Sequence, residues 1–350
     1  IRTRFSSRPQ EGIMIYSFAT PQAEEVYREI EGSKLRSTYI GGGPHPSAKP
    51  AEALQFFDFV VLGEGEVTLP DLIVALSSAN DTGSVRGIAY KQGDTVLHTG
   101  ARRHADLNMF PPFTEGLRSP IEISRGCPHA CKYCQTPRLF GNTMRHRSVQ
   151  SIAHYSRSLT DVRFISPNAF AYGSDGRHPE VSKVARLLES IQGNIYFGTF
   201  PSEVRPEFVT RELLELVTTY CANTSIHLGA QSGSDAILEE IGRGHSRHEV
   251  ELALDLCRDC GITPVIDFIF GLPTETRADQ LKSLDLIERI IAKKGKIRAH
   301  YFTPLPGTPY RDKKPSPVSP EVNKKLGKLA RDGHLSGRWD FHASKKWETI

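Results

Sequence analysis

Short apolar runs alternate with longer amphipathic stretches along most of the chain. Residues 12–18 (Gly-Ile-Met-Ile-Tyr-Ser-Phe), 37–43 and 57–62 read as short strands, the first of them buried. Helical patterns fill 21–32, 50–56 and 67–78. Pro21 suits a first helical position, and Glu24 and Glu25 favour the positive end of the helix dipole. Strands alternating with helices predict a parallel sheet, whose ligands sit at the carboxyl ends of the strands. Two glycine clusters, Gly41-Gly42-Gly43 and Gly63-Glu64-Gly65-Glu66, fall at such ends. Glycine there lets a flat ligand approach the backbone, though a plain structural turn explains it as well. Residues 86–98 read as a hairpin turning at Gly93-Asp94, and the proline-rich 108–120 as a linker.

From Ile121 the strand-then-helix pattern repeats, with strands at 121–125, 162–166, 194–199, 224–230, 263–270 and 297–302. Helices fall near 148–159, 179–191, 206–220, 246–260 and 276–293. This spacing predicts an α/β fold with an incomplete parallel (β/α)6 barrel. The expected organisation is an N-terminal sheet domain over 1–80, a hairpin and linker over 81–118, the barrel over 119–310, and a short helical extension over 311–350.

Composition changes this picture little. A chain of 350 residues suggests two domains. No apolar run approaches the ~18 residues of a membrane span, and no signal peptide is visible, although the chain opens on Ile1, which implies a processed or truncated start or residues omitted ahead of it. Six cysteines suit a reducing cytoplasm. The net charge of +4 is too small to call for nucleic acid. The C-terminal stretch is more basic, with Lys313, Lys314, Lys324, Lys325, Lys328, Arg331, Lys345 and Lys346. It reads as a solvated helix face and tail, or as a contact for an acidic partner.

The sharpest chemistry is the run Arg125-Gly126-Cys127-Pro128-His129-Ala130-Cys131-Lys132-Tyr133-Cys134. Three thiolates spaced C-x₃-C-x₂-C can hold three irons of a [4Fe–4S] cluster and leave the fourth iron open to a ligand. A zinc site would need a fourth donor, for which His129 is the local candidate, and disulfides would leave one of the three over. Cys257 and Cys260, on a predicted helix, and Cys221 read as structural packing.

The cysteine run, with the aromatic Tyr133 before its last thiol, resembles the radical SAM (S-adenosylmethionine) superfamily. So do His227-Leu228-Gly229-Ala230-Gln231-Ser232-Gly233-Ser234, Gly242-Arg243-Gly244-His245, Asp267 to Thr276, and Tyr301 to Pro309. The resemblance implies that the open iron chelates the methionine half of SAM and that an electron from the cluster cleaves the sulfonium to a 5′-deoxyadenosyl radical. It places Tyr133, Glu203, Gln231, Ser232, Gly233, Phe270 and Gly271 around SAM, with Glu203 on its amino group and Gly271 giving room for adenine. Tyr172, Tyr196 and Tyr301 lie near strand ends and pack the rim or face a cavity. Tyr172, Arg205 and Tyr301 are candidates for the substrate cavity, with Arg205 suited to a carboxylate.

Gly41-Gly42-Gly43-Pro44-His45-Pro46-Ser47, Asp58 and Gly63-Glu64-Gly65-Glu66 resemble the Rossmann-like cobalamin-binding domain that precedes many radical SAM enzymes. The resemblance implies a site of Ser17, Thr20, Gly41, Gly42, Gly43, His45, Ser47, Gly63, Glu64, Gly65 and Glu66. The Asp-x-His-x-x-Gly motif that supplies a cobalt ligand elsewhere is absent, and three strands are read where such domains have about five.

Together these features resemble the cobalamin-dependent radical SAM methyltransferases. The implied reaction methylates an unactivated carbon of a peptide or protein through methylcobalamin, with an external one-electron reductant. The turn sequences are similar to methanogen members that modify methyl-coenzyme M reductase, which implies a glutamine of its alpha subunit as substrate. Two other readings are a radical SAM cyclase or epimerase without methyl transfer, and a tRNA methylthiotransferase. The latter carries a second cluster and an RNA-binding barrel, neither of which is read in this sequence. A cluster-based sensor would not need the nucleoside-holding residues Gln231, Ser232, Gly233 and Gly271.

Overall fold

The glycine-ended strands of the first hundred residues pair as their pattern predicts, in a computed structural model that describes residues 5–6, 8–78, 80–113 and 120–340. Lys345 and Lys346 lie outside the described residues. The chain divides into two units, one holding residues 1–110 with 138–140 and 305–311, the other holding the rest.

In the first unit, β1 (Gly12–Ser17), β2 (Ser37–Gly42) and β3 (Phe59–Val61) are parallel, and β4 (Ile88–Gln92) and β5 (Thr95–His98) extend the sheet antiparallel. The hairpin expected as a connector is therefore part of the sheet. Successive residues point to opposite faces. Tyr39, Val60 and Ala89 pack with Tyr27 and Ile30 of α1 (Ala23–Gly32), while Ile40, Val61 and Ile88 pack with Leu72 and Ala75 of α2 (Gly65–Ser77). The expectation of a buried first strand is corrected. β1 is an edge strand beside β2 among the described residues, and Ile13 and Ile15 are each 37% exposed.

In the second unit, β6 (Ile121–Glu122), β7 (Asp161–Ile165) and β8 (Asn194–Tyr196) form one parallel sheet. The strands β9 (Ser225–Gln231), β10 (Thr263–Phe270), β11 (Lys296–Tyr301) and β12 (Leu335–Arg338) form another. Two single parallel bridges, Ile195 to Cys221 and Val204 to Leu228, link the sheets. Between them the chain leaves the ladder at a turn closed by Ser202 N donating to Thr199 O (2.7 Å). The strands thus form separate sheets and no closed barrel. The C-terminal extension is also corrected. Its helix α8 (Pro320–Arg331) is followed by β12, which adds a seventh parallel strand beside β11.

Of the helices α3 (Val149–Ser156), α4 (Val181–Glu189), α5 (Arg211–Tyr220), α6 (Arg247–Asp259) and α7 (Arg277–Ala292), all but α4 start where a side chain caps them. Ser148 accepts from Ser151 N (3.2 Å) and Thr210 from Leu213 N (3.3 Å), satisfying backbone donors that have no partner in a first turn. Their apolar stripes meet one face of each strand, where Val162, Phe164, Ile226, Leu228, Ile266 and Phe268 are buried. The alternate residues Arg163, Tyr196, His227, Asp267 and Arg298 point to the other face, which is polar. Among the described residues no helix is long and apolar enough to cross a membrane.

Candidate functional site

The three thiols follow the carboxyl end of β6. The strand expected over 121–125 splits here: Ile121–Glu122 pairs with β7, while Ser124–Arg125 turns to pair antiparallel with Arg145–His146. Gly126, at φ +86°, makes the turn that leads into the cysteine loop. Cys127 N donates to Gly141 O (3.1 Å), Cys134 N to Cys131 O (3.1 Å) and Lys132 N to Ile241 O (2.9 Å), so the loop is anchored at both ends and in the middle. Cys131 is buried and the other two thiols are half-buried. Burial pushes the Cys127 thiol up, and the charges of Cys134 and Cys131 add to that, so the three sulfurs sense one another.

The donor set fits a cluster better than a single ion. His129 turns its Nε2 to Gly176 O (3.0 Å), and burial, followed by the Arg205 guanidinium, holds its pKa down to about 4. A single ion needs three donors converging on one point. No such group of His, Cys, Asp or Glu exists among the described residues. Thiolates that each take a separate iron need no such convergence.

A positive layer backs these thiols. Arg243 places Nη1 4.0 Å from Cys131 Sγ and donates from Nη2 to Gly229 O (2.7 Å), and Cys131 Sγ lies 3.6 Å from Gly242 O. Burial alone would lower the Arg243 pKa, but Tyr133, Cys131 and Glu207 outweigh it and raise it. Arg205 donates to Arg243 O and pairs with Glu207 Oε1 (2.5 Å), whose Oε2 lies 3.3 Å from His245 Nδ1. Burial pushes the Glu207 carboxyl up, yet His245 and Arg205 hold it at about 2. Arg243, Glu207 and His245 were missed as site residues. The available signal was the Gly-Arg-Gly-His run, whose glycines take φ of +66° and +81° and so project Arg243 between two tight turns.

The remaining SAM candidates fall into two groups. Gln231, at φ +74°, sits in the register shift that ends β9. A Cβ on Gly229 would lie 2.6 Å from Gln231 Nε2 and 2.7 Å from Arg243 Nη2, so any larger residue would displace the ends of both side chains where they cross the strand. Tyr133 is half-buried, and burial raises its pKa despite Arg243.

The others have internal partners. Ser232 and Gly233 are held against α7: Gly233 N donates to Ser283 Oγ (2.9 Å), and Ser232 Oγ lies 3.3 Å from the same oxygen. Phe270 points into the helix-covered core. Gly271, at φ +77°, makes room for a side chain rather than for adenine, since a Cβ there would meet the Tyr301 ring at 2.4 Å. Glu203 pairs with Arg298, which also holds the buried Asp267 through Nε to Oδ1 (2.7 Å) and Nη2 to Oδ2 (2.8 Å). Burial raises Asp267 to about 6 in spite of that pairing.

The substrate-cavity candidates are likewise engaged. Tyr172 is buried and donates to Arg147 O (2.7 Å), Arg205 is buried in its ion pair, and Tyr301 donates to Ser316 O (3.3 Å).

In the first unit, the strand ends Ser17, Gly42 and Val61 lie side by side. Gly41 packs under the Phe57 ring, with a Cβ position 3.1 Å away, and Gly43, at φ +86°, would place a Cβ 2.9 Å from Ser17 Oγ. Gly42 has only ordinary contacts, 3.8 Å to Val61 Cβ. Ser47 Oγ accepts from Gly63 N (2.9 Å) and so ties the two glycine turns together. Three expected ligands turn inward instead. His45 is 2% exposed, stacks on Phe18, and sits between Thr20 Oγ1 (3.2 Å) and Glu52 Oε1 (3.1 Å). Thr20 is thereby taken up, and Glu64 accepts from Ala105 N (2.8 Å) with His104 Nδ1 3.1 Å from its other oxygen. A floor of glycine backbone fits a flat macrocycle, and His45 is not free to ligate its metal.

Residues 121–287 match the family model described as the Radical SAM superfamily. A Methanocaldococcus jannaschii protein provisionally named a methylthiotransferase is 30% identical over 72% of this chain and 57% of its own length. The tRNA-2-methylthio-N(6)-dimethylallyladenosine synthase of Moorella thermoacetica is 30% identical over 66% of this chain and 51% of its own. The chain thus spans little more than half the length of these relatives. It shares its fold with the radical S-adenosylmethionine methyltransferase TsrM from Kitasatospora setae, solved with cobalamin and a [4Fe–4S] cluster bound. The TM-score is 0.66 at 16% identity, over 86% of this chain and 63% of that one.

Proposed function

From a chain whose residues 121–287 belong to the radical SAM superfamily, we propose a cobalamin-dependent radical SAM C-methyltransferase that acts on an unactivated sp3 carbon of a peptide or protein. One observation carries this reading: a three-thiol loop at a strand end and a parallel sheet with a glycine floor occur together in one chain. When bound, the cluster supplies the electron that cleaves SAM, and cobalamin supplies a transferable methyl group. Cys127, Cys131 and Cys134 hold the cluster. Arg243 places positive charge beside Cys131, where it offsets thiolate charge, and Arg205 and Glu207 fix its backbone. Gln231 is the polar side chain at the end of β9 best placed for the cosubstrate. Gly42 and its neighbouring turns would hold the cobalamin macrocycle, while His45 is taken up by Thr20 and Glu52. The narrower reading, a glutamine of the methyl-coenzyme M reductase alpha subunit served by an external one-electron reductant, rests on the turn sequences alone.

The test is anaerobic. Protein reconstituted with iron, sulfide and cobalamin receives SAM, a reductant and a peptide panel that includes glutamine sequences. Equal 5′-deoxyadenosine and S-adenosylhomocysteine, with one methyl gained on a peptide, is the expected result. Deoxyadenosine without methyl gain would remove the methyltransferase reading. A second reading, methylthio transfer to tRNA, is favoured by the names of the sequence relatives. Sulfur gained on tRNA in the same assay would select it.

A Gly42→Leu change tests the floor. The position has no positive φ and no close contact, so the fold should keep its stability to within about 0.5–1 kcal/mol. Cobalamin retention should fall roughly tenfold or more, since one bulky side chain costs about 1–3 kcal/mol where a flat ligand meets backbone. Equilibrium dialysis reads the retention, and cluster absorbance should not change. Unaltered retention would take this turn out of the site.

A further inference from the structure

The polar face of the second unit holds a cavity of about 350 Å³, lined by Arg163, Tyr196, Thr199, Phe200 and His227 and by residues 222–225. It sits beside the start of β9, four residues from Gln231 at that strand's carboxyl end, or about 13 Å along an extended strand. Its lining contains none of the three thiols and none of Gln231, Ser232 and Gly233.

Its polar groups point to an anion. The Arg163 guanidinium lies over the Tyr196 ring, 4.0 Å from its centroid, and has no acidic partner among the described residues. Stacking fixes the guanidinium plane and leaves its N–H edge for a planar acceptor. The nearest acid on the same strand, Asp161, accepts from Asn194 Nδ2 (3.1 Å). Asn223 is fully engaged: it donates to Phe197 O and Ser225 O and accepts from Phe197 N. His227 Nδ1 is buried without a partner. Burial, and then Arg298, lower the His227 pKa, so at neutral pH the ring adds a hydrogen-bonding nitrogen and no charge. Arg298 lies over the ring of the lining residue Phe200, 5.2 Å from its centroid, and faces two carboxylates, Glu203 and Asp267, a surplus of negative charge that disfavours a dianion. One cation with a neutral imidazole and the Thr199 hydroxyl matches a single carboxylate.

We infer that this cavity is a carboxylate-binding site, with Arg163 as its forked donor, and that it anchors an acidic group of the substrate. The carboxylate site stands on the cavity itself, while the word substrate rests on the function proposed above.

The test uses the full chain with its cluster reconstituted, without SAM or reductant, so its outcome does not depend on methyl transfer. Calorimetry compares N-acetyl-glutamate amide with its neutral isostere, N-acetyl-glutamine amide. The acid should bind more tightly, and Arg163→Gln should weaken it roughly tenfold or more, to the level of the amide, because a charge-assisted forked pair is lost. Arg163→Lys, which keeps the charge and loses the fork, should fall between. Thermal melting checks the fold, and if the variant melts early the acid-against-amide comparison on the unaltered chain decides alone. Equal binding of acid and amide, or acid binding unmoved in a folded Arg163→Gln protein, would overturn the site. Inorganic phosphate competing more strongly than the acid would overturn the single-carboxylate assignment. A longer peptide carrying the same glutamate that binds as well or better marks a polypeptide side chain as the source. Retention of the small acid alone marks a free small acid. Either supports the site.

Discussion

Cys131→Ala should abolish the visible absorbance of the reconstituted cluster and lower SAM cleavage by more than about a hundredfold, beyond the 10–100-fold typical when only the contacts behind a ligand are changed. Cys131 is 4% exposed, and its sulfur lies 3.6 Å from Gly242 O and 4.0 Å from Arg243 Nη1. Alanine fills most of that volume, so the loop, anchored through backbone bonds from Cys127, Lys132 and Cys134, should hold its shape. What disappears is one of three thiolates, and a cluster held by two is labile. Cys257→Ala is the control. That thiol is fully buried in the helix-covered core, burial pushes it up to about 12, and its loss should leave absorbance and cleavage intact. Cleavage retained by Cys131→Ala would remove the cluster assignment.

The core strands were legible because their signal is local. β10 carries the run Thr-Pro-Val-Ile-Asp-Phe-Ile-Phe and spans the same residues, 263–270, that the pattern predicts. Helix starts were legible for a similar reason, since Ser246 with Glu249 and Thr276 with Asp279 form capping boxes written in adjacent residues. The misreadings lie where distant partners decide. β1 is as apolar as a buried strand, but burial depends on which helices cover it. β12 reads Leu-Ser-Gly-Arg, without apolar alternation, and is a strand only because β11 offers it an edge. A Cβ on its Gly337 would meet Ala299 O at 2.1 Å, so close pairing there depends on glycine.

The site divides the same way. Three cysteines within eight residues are brought together by chain connectivity, so their grouping was legible. Ser232 and Gly233 follow the end of β9 as expected, and Tyr172 and Arg205 lie in the loops after β7 and β8, but the directions of all four are set by Ser283, Arg147 and Arg243, remote in sequence. A motif fixes where a residue falls along the chain. It does not fix which way the side chain turns, and this is why the His45 ring could be a ligand on paper and a packed, doubly partnered group in the fold.

Glu275→Gln should gain stability relative to the parent protein as pH rises from about 5 to 8. The Glu275 side chain follows the end of β10 and is 6% exposed; its Oε2 accepts from Gly271 N (2.7 Å) and Gln280 Nε2 (3.3 Å), while Oε1 has no partner. Burial raises its pKa from 4.5 to about 7, against the pull of those two donors. A carboxyl with a raised folded pKa binds a proton in the fold at pH values where the unfolded chain has released it. Its contribution is fully present below the unfolded value and is lost as pH climbs through about 7. A shift of this size corresponds to about 3 kcal/mol. Glutamine keeps an oxygen for Gly271 N and never ionises, so that loss is removed. Its amide nitrogen lacks a partner at the Oε1 position, which costs on the order of 1–3 kcal/mol at every pH. Melting curves should therefore show the gap between variant and parent moving in favour of the variant by about 3 kcal/mol from pH 5 to pH 8. A gap that stays constant over that range would mean that Glu275 is charged in the folded protein throughout, with its buried oxygen answered by a group that the Gly271 turn does not provide.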